Sequence, residues 1–342
     1  MHSTPIIQGL ACGDAVGAGS EFMMPQEASE LHAPGEAMRF RDGSPFGFRA
    51  GEVTDDTQMA LMLLEHATCP DGVFLSRVRG SFEAWVGSHP PDVGLQTSRA
   101  LHDGAALSWA RSNHQSAGNG SLMRVGGLYA HPGFASLNAD ERQRRNVLAG
   151  AVTHLDPRCV IACLLLGALI EQPERQRWSA SLRGSVHTVQ HTAPGDQVAQ
   201  LLVRSGLLGE GDLPGYQLRW TAAWNELTVH LDMAEEGLIG NQGGYVCSTL
   251  QAAAAHNINA ENLPRFTLEN VLLPAARLGN DCDSVGAVAG TLAGSRGLSV
   301  PDALLAELRL GHSWASPTRR WTRGEPLMAL ITDLQRPNTA AS

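Results

Sequence analysis

Gly51-Glu52-Val53-Thr54-Asp55-Asp56-Thr57-Gln58-Met59-Ala60-Leu61 sets a hydroxyl and two adjacent carboxylates in front of an apolar run. The run Met59 to Leu64 reads as a helix seated in a core. Thr54 is predicted as its N-cap, with Asp55 and Asp56 in the first turn, where the helix dipole favours negative charge. Alone, an acidic first turn is an ordinary cap. Far downstream, Asn280-Asp281-Cys282-Asp283-Ser284 has the same build and opens a second helix, of small residues, from Gly286 to Gly294. Glycine is a poor helix former, so close approach to neighbours inside a bundle explains that composition better than propensity does.

Outward from these two stretches the chain reads as helix after helix. Ile6, Ile7, Leu10, Ala11 and Val16 predict a helix from about Pro5 to Val16, running into Gly13-Asp14-Ala15-Val16-Gly17 and on to Glu21 and Phe22. Residues 25–51, with several Pro and Gly and no period, read as a long loop of the kind used for lids and binding sites. Further helices are predicted over Val73 to Val86, Leu95 to Arg111, Asn138 to about Val152, and from the strong start Asp156-Pro157 to Glu171. Residues 173–215 give one helix, near Asp196 to Leu208. Tyr216 to Ile239, Tyr245 to His256 and Phe266 to Leu278 follow, and Pro301 is expected to start a final clear helix. No stretch alternates with period two, so the expected fold class is all-α. About a dozen or more helices would form a compact single-domain orthogonal bundle over residues 1–335, around a binuclear metal site, with a disordered tail at 336–342.

Bulk composition narrows the function. With 342 residues, 43% hydrophobic and 17% charged, the chain has an ordinary globular composition. A net charge of −9 and the lack of a basic stripe argue against nucleic acid as main ligand. All 25 basic residues are arginine, which excludes a Schiff-base lysine and a GxxxxGK[ST] phosphate loop. The six cysteines include no CxxC pair, no signal peptide is evident, and the longest apolar run is too short for a bilayer. A reduced, cytoplasmic protein with no membrane partner is therefore expected.

Each acidic cluster offers hard oxygens from two carboxylates and a hydroxyl: Thr54, Asp55 and Asp56, then Asp281, Asp283 and Ser284. Such oxygens, without His or Cys, suit Mg²⁺, Mn²⁺ or Ca²⁺. The two helix dipoles oppose a cation, but four carboxylates outweigh two half-charges. Between the clusters, the glycine-bearing turn Ser116-Ala117-Gly118-Asn119-Gly120-Ser121 leads into Leu122-Met123-Arg124. Such a turn is either a plain loop or a presentation of amides to phosphate oxygens, and a neighbouring divalent site favours a nucleotide-like ligand.

In order along the chain, Gly13-Asp14-Ala15-Val16-Gly17 with Glu21, Glu52 to Met59, Gly118 to Arg124, Thr153-His154, Gly244-Tyr245-Val246 and Asp281 to Ser284 resemble the motifs of the ADP-ribosylglycohydrolase family. The resemblance runs from about residue 6 to about residue 298. It implies an all-α bundle with two Mg²⁺ (or Mn²⁺) held by Thr54, Asp55, Asp56, Asp281, Asp283 and Ser284. It also implies a diphosphate and ribose cradled by Gly118, Asn119, Gly120, Ser121, Met123 and Arg124, and a nucleotide end lined by His154 and Tyr245. His154 reads equally well as a histidine at a helix C-terminus, compensating the dipole. The implied partners are ADP-ribose and an ADP-ribosylated protein. Cleavage at the anomeric carbon would need a base, and Asp56, Asp283 and Glu21 are the candidates.

The chain departs from the family pattern at Asn280, where glycine is usual, and at Cys282 and Ser284, where threonines are usual. Serine keeps the hydroxyl. The expected activity is Mg²⁺-dependent release of ADP-ribose from a modified side chain, arginine first. The alternatives are serine or another ADP-ribosyl conjugate such as O-acetyl-ADP-ribose, and a non-catalytic ADP-ribose-binding or immunity protein.

Overall fold

The computed structural model describes residues 3–172, 176–240 and 243–336; the expected tail falls, apart from Arg336, outside the described residues. Seventeen α-helices account for most of those residues, so the fold is all-α. No described helix is long and apolar enough to cross a membrane. The cysteines are free and buried.

The architecture starts from two helices, Ser3–Gly17 and Cys282–Ser295, packed more closely than any other pair. Their glycines face each other at a four-residue spacing: Gly9 against Gly290 and Gly13 against Gly286. A β-carbon at Gly290 would stand 2.0 Å from the Gly9 carbonyl oxygen, and one at Gly13 would stand 2.0 Å from that of Gly286. At these positions backbone lies on backbone and no other residue fits. The Asp55–His66 helix and the short Leu122–Tyr129 helix pack beside this pair, and the apolar Pro157–Ile170 and Val246–Glu261 helices close the core. The main core is continuous from Ile6 to Leu334.

Several local expectations are corrected. Leu95 to Arg111 is two helices, Leu95–Asp103 and Ala105–Arg111, because Gly104 takes a positive φ of 90°. The supposed loop 25–51 contains a helix, Pro25–Leu31. Residues 173–215 hold two helices, Trp178–Thr192 and Gly195–Arg204. The first went unread because its buried face includes Ser181 and Ser185, which dilute the apolar period. The helix at Pro301 is a single turn, Asp302–Leu305, and the last helix is Leu327–Leu334. Two-residue strands also occur: Glu52–Val53 pairs in parallel with Arg309–Leu310, and Trp314–Ala315 pairs antiparallel with Arg320–Trp321. Such short pairings carry no period-two pattern.

The first of these pairings fixes the entrance to the Asp55–His66 helix. Arg323 reinforces it, donating from Nε to Glu52 Oε1 at 2.8 Å and from Nη2 to the Gly47 carbonyl at 3.1 Å. The segment before Thr54 is thus clamped by the C-terminal part of the chain.

Substituting Gly290 with alanine is expected to destabilise the fold by about 3 kcal/mol or more, since a backbone oxygen cannot yield as a side chain can. Gly80, inside the Asp71–Val86 helix, has open space where a β-carbon would go. Gly80→Ala should stabilise by about 0.5–1 kcal/mol. Thermal unfolding of both variants checks the contrast; equal effects would contradict the backbone seam.

Candidate functional site

The seam ends at the site. Gly17, the last residue of the first helix, lies against the backbone of Cys282 and Asp283, where a β-carbon would meet Asp283 Cα at 2.4 Å. Asp14, one turn earlier, reaches the start of the Asp55–His66 helix. Its carboxylate accepts from Thr54 N, Thr54 Oγ1 (2.9 Å), Thr57 N (3.1 Å) and Thr57 Oγ1 (2.5 Å). This corrects the expected cap. Thr54 stands at the N-cap position in extended conformation, but its hydroxyl donates to Asp14, and Asp14 takes the first-turn amide from another helix.

The two acidic clusters converge. Asp56 Oδ2 lies 3.4 Å from both Thr54 Oγ1 and Ser284 Oγ, so members of both clusters share one oxygen. Asp281 accepts from Asn119 Nδ2 at 2.5 Å, which ties the glycine-bearing turn to the second cluster. Among the described residues, Glu21, Asp92 and Asp283 present carboxylate oxygens within 4.8 Å of one another. Asp92 also shares a side-chain hydrogen bond with Asp55. Sequence reasoning missed Asp92: it follows Pro90-Pro91 in an irregular loop, with no spacing relation to either cluster. Asp14 stood within a quoted motif, yet its capping role has no local signature.

Asp14, Glu21, Asp55, Asp56, Asp92, Asp281 and Asp283 therefore bring seven carboxyl groups together, five of them buried and Asp92 and Asp281 partly so. Burial, then the negative charge of Asp283 and its neighbours, pushes Glu21 up to about 11. Burial raises Asp281 to about 7 and Asp14 to about 6, the latter restrained by the threonine hydrogen bonds. Asp55, Asp56 and Asp283 are raised well above the carboxylate range by burial first and by neighbouring aspartates second. Glu21 Oε2, Asp56 Oδ1 and Asp283 Oδ1 are buried without a hydrogen-bond partner. Negative oxygens so placed need protons or cations. An all-oxygen donor set with unsatisfied lone pairs fits hard divalent cations.

The glycine-bearing turn is built to a different plan from the one the sequence suggests. Its Gly118 and Asn119 amides are already committed, to Gln96 Oε1 and the Gly244 carbonyl, both at 3.0 Å. Gly120 is glycine because the His154 ring lies beneath it; a β-carbon would meet His154 Cε1 at 2.9 Å. Ser121 is fully buried, with Oγ unpartnered, and Met123 is buried with its sulfur 3.8 Å from Ser284 Oγ.

Arg124 points inward. Its guanidinium stacks over Phe82 at 4.6 Å and donates to the Ala149 carbonyl at 2.9 Å and Thr153 Oγ1 at 2.6 Å. Burial lowers it to about 10. In this position it supports the turn from below, with its guanidinium fully buried. Thr153 Oγ1 also bonds His154 Nδ1 at 2.8 Å. Burial, then the Arg124 charge, holds His154 well below its ordinary value, so it is neutral and cannot act as a cation against a helix dipole. Satisfying all three groups assigns the threonine proton to Nδ1 and the imidazole proton to Nε2, on the side of Gly120. Tyr245 forms a backbone bridge with Gly118, and its hydroxyl is bonded to Glu226 and to Arg158 Nη1 (3.3 Å).

The residues that departed from the expected pattern are accommodated. Asn280 adopts φ +49° directly after Gly279 at +59°, a region that asparagine tolerates better than most residues. Cys282 turns away from the carboxylates, with Sγ 3.3 Å from Ser20 Oγ and 3.4 Å from the Gly17 carbonyl.

Comparison with known proteins was consistent with this geometry. A family model described as ADP-ribosylglycohydrolase matches residues 5–336. The ADP-ribosyl-[dinitrogen reductase] glycohydrolase of Rhodospirillum rubrum is 26% identical over 292 residues, covering 84% of this chain and 82% of that protein. ADP-ribosylarginine hydrolase Tri1 of Serratia proteamaculans is also 26% identical, covering 84% of this chain and 69% of the relative. A solved chain titled ADP-ribosylglycohydrolase-related protein complex matches with a TM-score of 0.50 at 24% identity, covering 98% of each chain, and supports the fold.

A carboxyl raised on folding stays protonated in the folded state at a pH where the unfolded chain, near pH 4, has released its proton. Stability of the cation-free protein is therefore greatest in acid and is lost as pH rises through about 6 for Asp14 and about 7 for Asp281. Melting temperatures in chelator should fall from pH 5 to pH 8, and Asp283→Asn should raise the value at pH 8 by an amount worth at least about 1 kcal/mol. A melting temperature that climbs across this interval would contradict the electrostatic picture.

Proposed function

The chain belongs to the ADP-ribosylglycohydrolase family, a family of hydrolases of ADP-ribose glycosidic bonds, and from that premise we propose that it removes ADP-ribose from modified arginine on proteins, with Mg²⁺ or Mn²⁺. The observation that carries the reading is the convergence of unpartnered Glu21, Asp56 and Asp283 oxygens in one buried, all-carboxylate centre. The name of one relative, an ADP-ribosylarginine hydrolase, supports arginine as the linkage, and that of another, which acts on ADP-ribosyl-[dinitrogen reductase], supports a protein as the bearer.

Thr54, Asp55, Asp56, Asp281, Asp283 and Ser284 are the proposed cation holders, with Asp92 added from the structure. Divalent cations there would supply Lewis-acid charge for orienting ribose hydroxyls and acidifying water. The remaining work falls to the chain's own groups. Asn119 orients Asp281, and Asp14 fixes Thr54, so the hydroxyl and carboxylates arrive pre-aligned. The ribose carbon gains positive charge as the C1–N bond breaks, its electron pair passing to the guanidine nitrogen. Buried carboxylates stabilise that charge. Water adds to C1 and yields a proton, and the freed guanidine takes one up. Glu21 is the proposed base, ionised once bound cations would offset the burial and neighbouring charge that otherwise keep it protonated: it lies on a loop beyond the first helix, keeps an unpartnered oxygen and sits beside Asp92 and Asp283. Within the turn, half-buried Gly120 is left to face a ligand, backed by buried Ser121 and His154. Tyr245 contributes its ring, since its hydroxyl is occupied.

Replacing Asp55 and Asp56 together with alanine should lower ADP-ribose release from an arginine-modified protein by at least about a thousandfold, with the far-ultraviolet dichroism unchanged. Release at the parental rate would defeat the proposal, and serine-modified protein assayed in parallel decides the linkage.

Glu21→Gln should separate catalysis from cation binding. The rate should fall at least about a hundredfold, whereas the rise in melting temperature on adding Mg²⁺ should persist. Asp56→Asn should lose both. Loss of the Mg²⁺ response in Glu21→Gln would reassign Glu21 to the cation holders.

A further inference from the structure

Phe22 follows Glu21 directly, and the two residues are opposites. Glu21 is buried among the carboxylates, whereas Phe22 is 62% exposed. Its backbone takes φ +58°, a conformation that a bulky residue adopts only under constraint. The constraint is visible: Phe22 N donates to the Asn280 carbonyl at 2.7 Å, and Asn280 N donates to the Met23 carbonyl at 3.0 Å. Glycine or asparagine would meet this backbone requirement with less strain, and neither would leave an aromatic ring in water. Folding therefore does not account for phenylalanine here, and strain kept beside a reactive centre points to use.

The ring has one aromatic neighbour. Phe46 meets it edge to face, with centroids 5.9 Å apart. Phe46 belongs to the 25–51 segment, which is clamped at Gly47 by Arg323 and at Ala50 by Asp42 Oδ1 (2.9 Å). Met24, 65% exposed, extends the same apolar lip. The lip is joined by its backbone to the carboxyl centre, through Glu21 on one side and, by hydrogen bonds, through Asn280, the residue before Asp281. An exposed aromatic face next in the chain to the proposed base suits a planar, weakly hydrated cation.

We infer that Phe22, backed by Phe46, is the specificity residue that receives the guanidinium of the modified side chain, holding it by cation–π contact while Glu21 works at the adjoining bond. The inference rests on the proposed arginine linkage and deepens it. A neutral aglycone, such as a serine hydroxyl or an acetyl ester, gains little from the ring, so Phe22 would separate cationic from neutral linkages.

The test uses the full chain with Mg²⁺ and two variants. Phe22→Asn removes the ring while tolerating the left-handed backbone, and Phe22→Trp keeps an aromatic face. The first readout is the ratio of kcat/KM for ADP-ribosylarginine to that for O-acetyl-ADP-ribose. It should fall roughly tenfold in Phe22→Asn and hold within about twofold in Phe22→Trp. An unchanged ratio in Phe22→Asn, or an equal fall in both variants, overturns the inference.

The second readout is calorimetric binding of agmatine to the Mg²⁺-loaded protein in the presence of ADP-ribose. Phe22→Asn should weaken it roughly tenfold and Phe22→Trp should preserve it. Binding indifferent to the ring overturns the inference whatever the protein hydrolyses. Failure of the parent chain to release ADP-ribose from arginine, with ring-dependent agmatine binding intact, counts against the proposed reaction and not against the cation site.

Discussion

Two backbones in contact set the terms for this molecule. Where Gly9 meets Gly290 and Gly13 meets Gly286, no side chain separates the first helix from the Cys282–Ser295 helix. Helices that carry larger residues at the contact stand roughly 8–10 Å apart, axis to axis. Here the approach is limited only by main-chain atoms. The consequence is positional: Asp14 and Asp283, one on each helix, are delivered to the same small volume at the end of the seam, and their relative placement cannot drift without a clash of peptide groups. A centre that must align oxygens from separate helices gains its precision from this contact.

The same geometry imposes the main electrostatic cost. Gathering seven carboxyl groups, five of them buried, runs against every rule of core construction, and the two helix N-termini offset only a fraction of the repulsion. The chain manages this with hydroxyl and amide donors. Thr54 and Thr57 satisfy Asp14, and Asn119 satisfies Asp281, whereas Glu21, Asp56 and Asp283 each keep a free oxygen. Hydrogen bonds thus hold some of these carboxylates in place, and the oxygens left without a donor keep lone pairs open. A local breach of folding rules of this kind, inside a core that otherwise obeys them, is what a functional site is expected to look like.

How much of this was legible in the sequence differs by kind of information. The all-α fold could be read because long apolar periods repeat along the chain, and the two acidic clusters could be paired because they share a local build. What could not be read depends on contacts between distant elements. Asp92 has no motif around it, and only the folded chain brings it to Glu21. The cap of the Asp55–His66 helix comes from another helix, so a rule written for the residue just before the first turn named the wrong acceptor. The resemblance placed Arg124 in the ligand cradle with the rest of its turn, and the direction of its side chain, held inward by Phe82 and Thr153, has no local signature. The Trp178–Thr192 helix was lost for a similar reason: Ser181 and Ser185 look polar in sequence and are buried in the structure.

The partners in the seam stand at opposite ends of the chain, and the Glu52–Val53 strand waits for Arg309–Leu310. Synthesis on the ribosome proceeds from the first helix to the last. The first helix therefore emerges with its glycine face open and keeps it open until the Cys282–Ser295 helix has been made. Contacts so distant in sequence form late and slowly. The carboxylate centre thus waits for the second acidic cluster, and a chain cut short before it would present a naked backbone groove and lack Asp281 and Asp283.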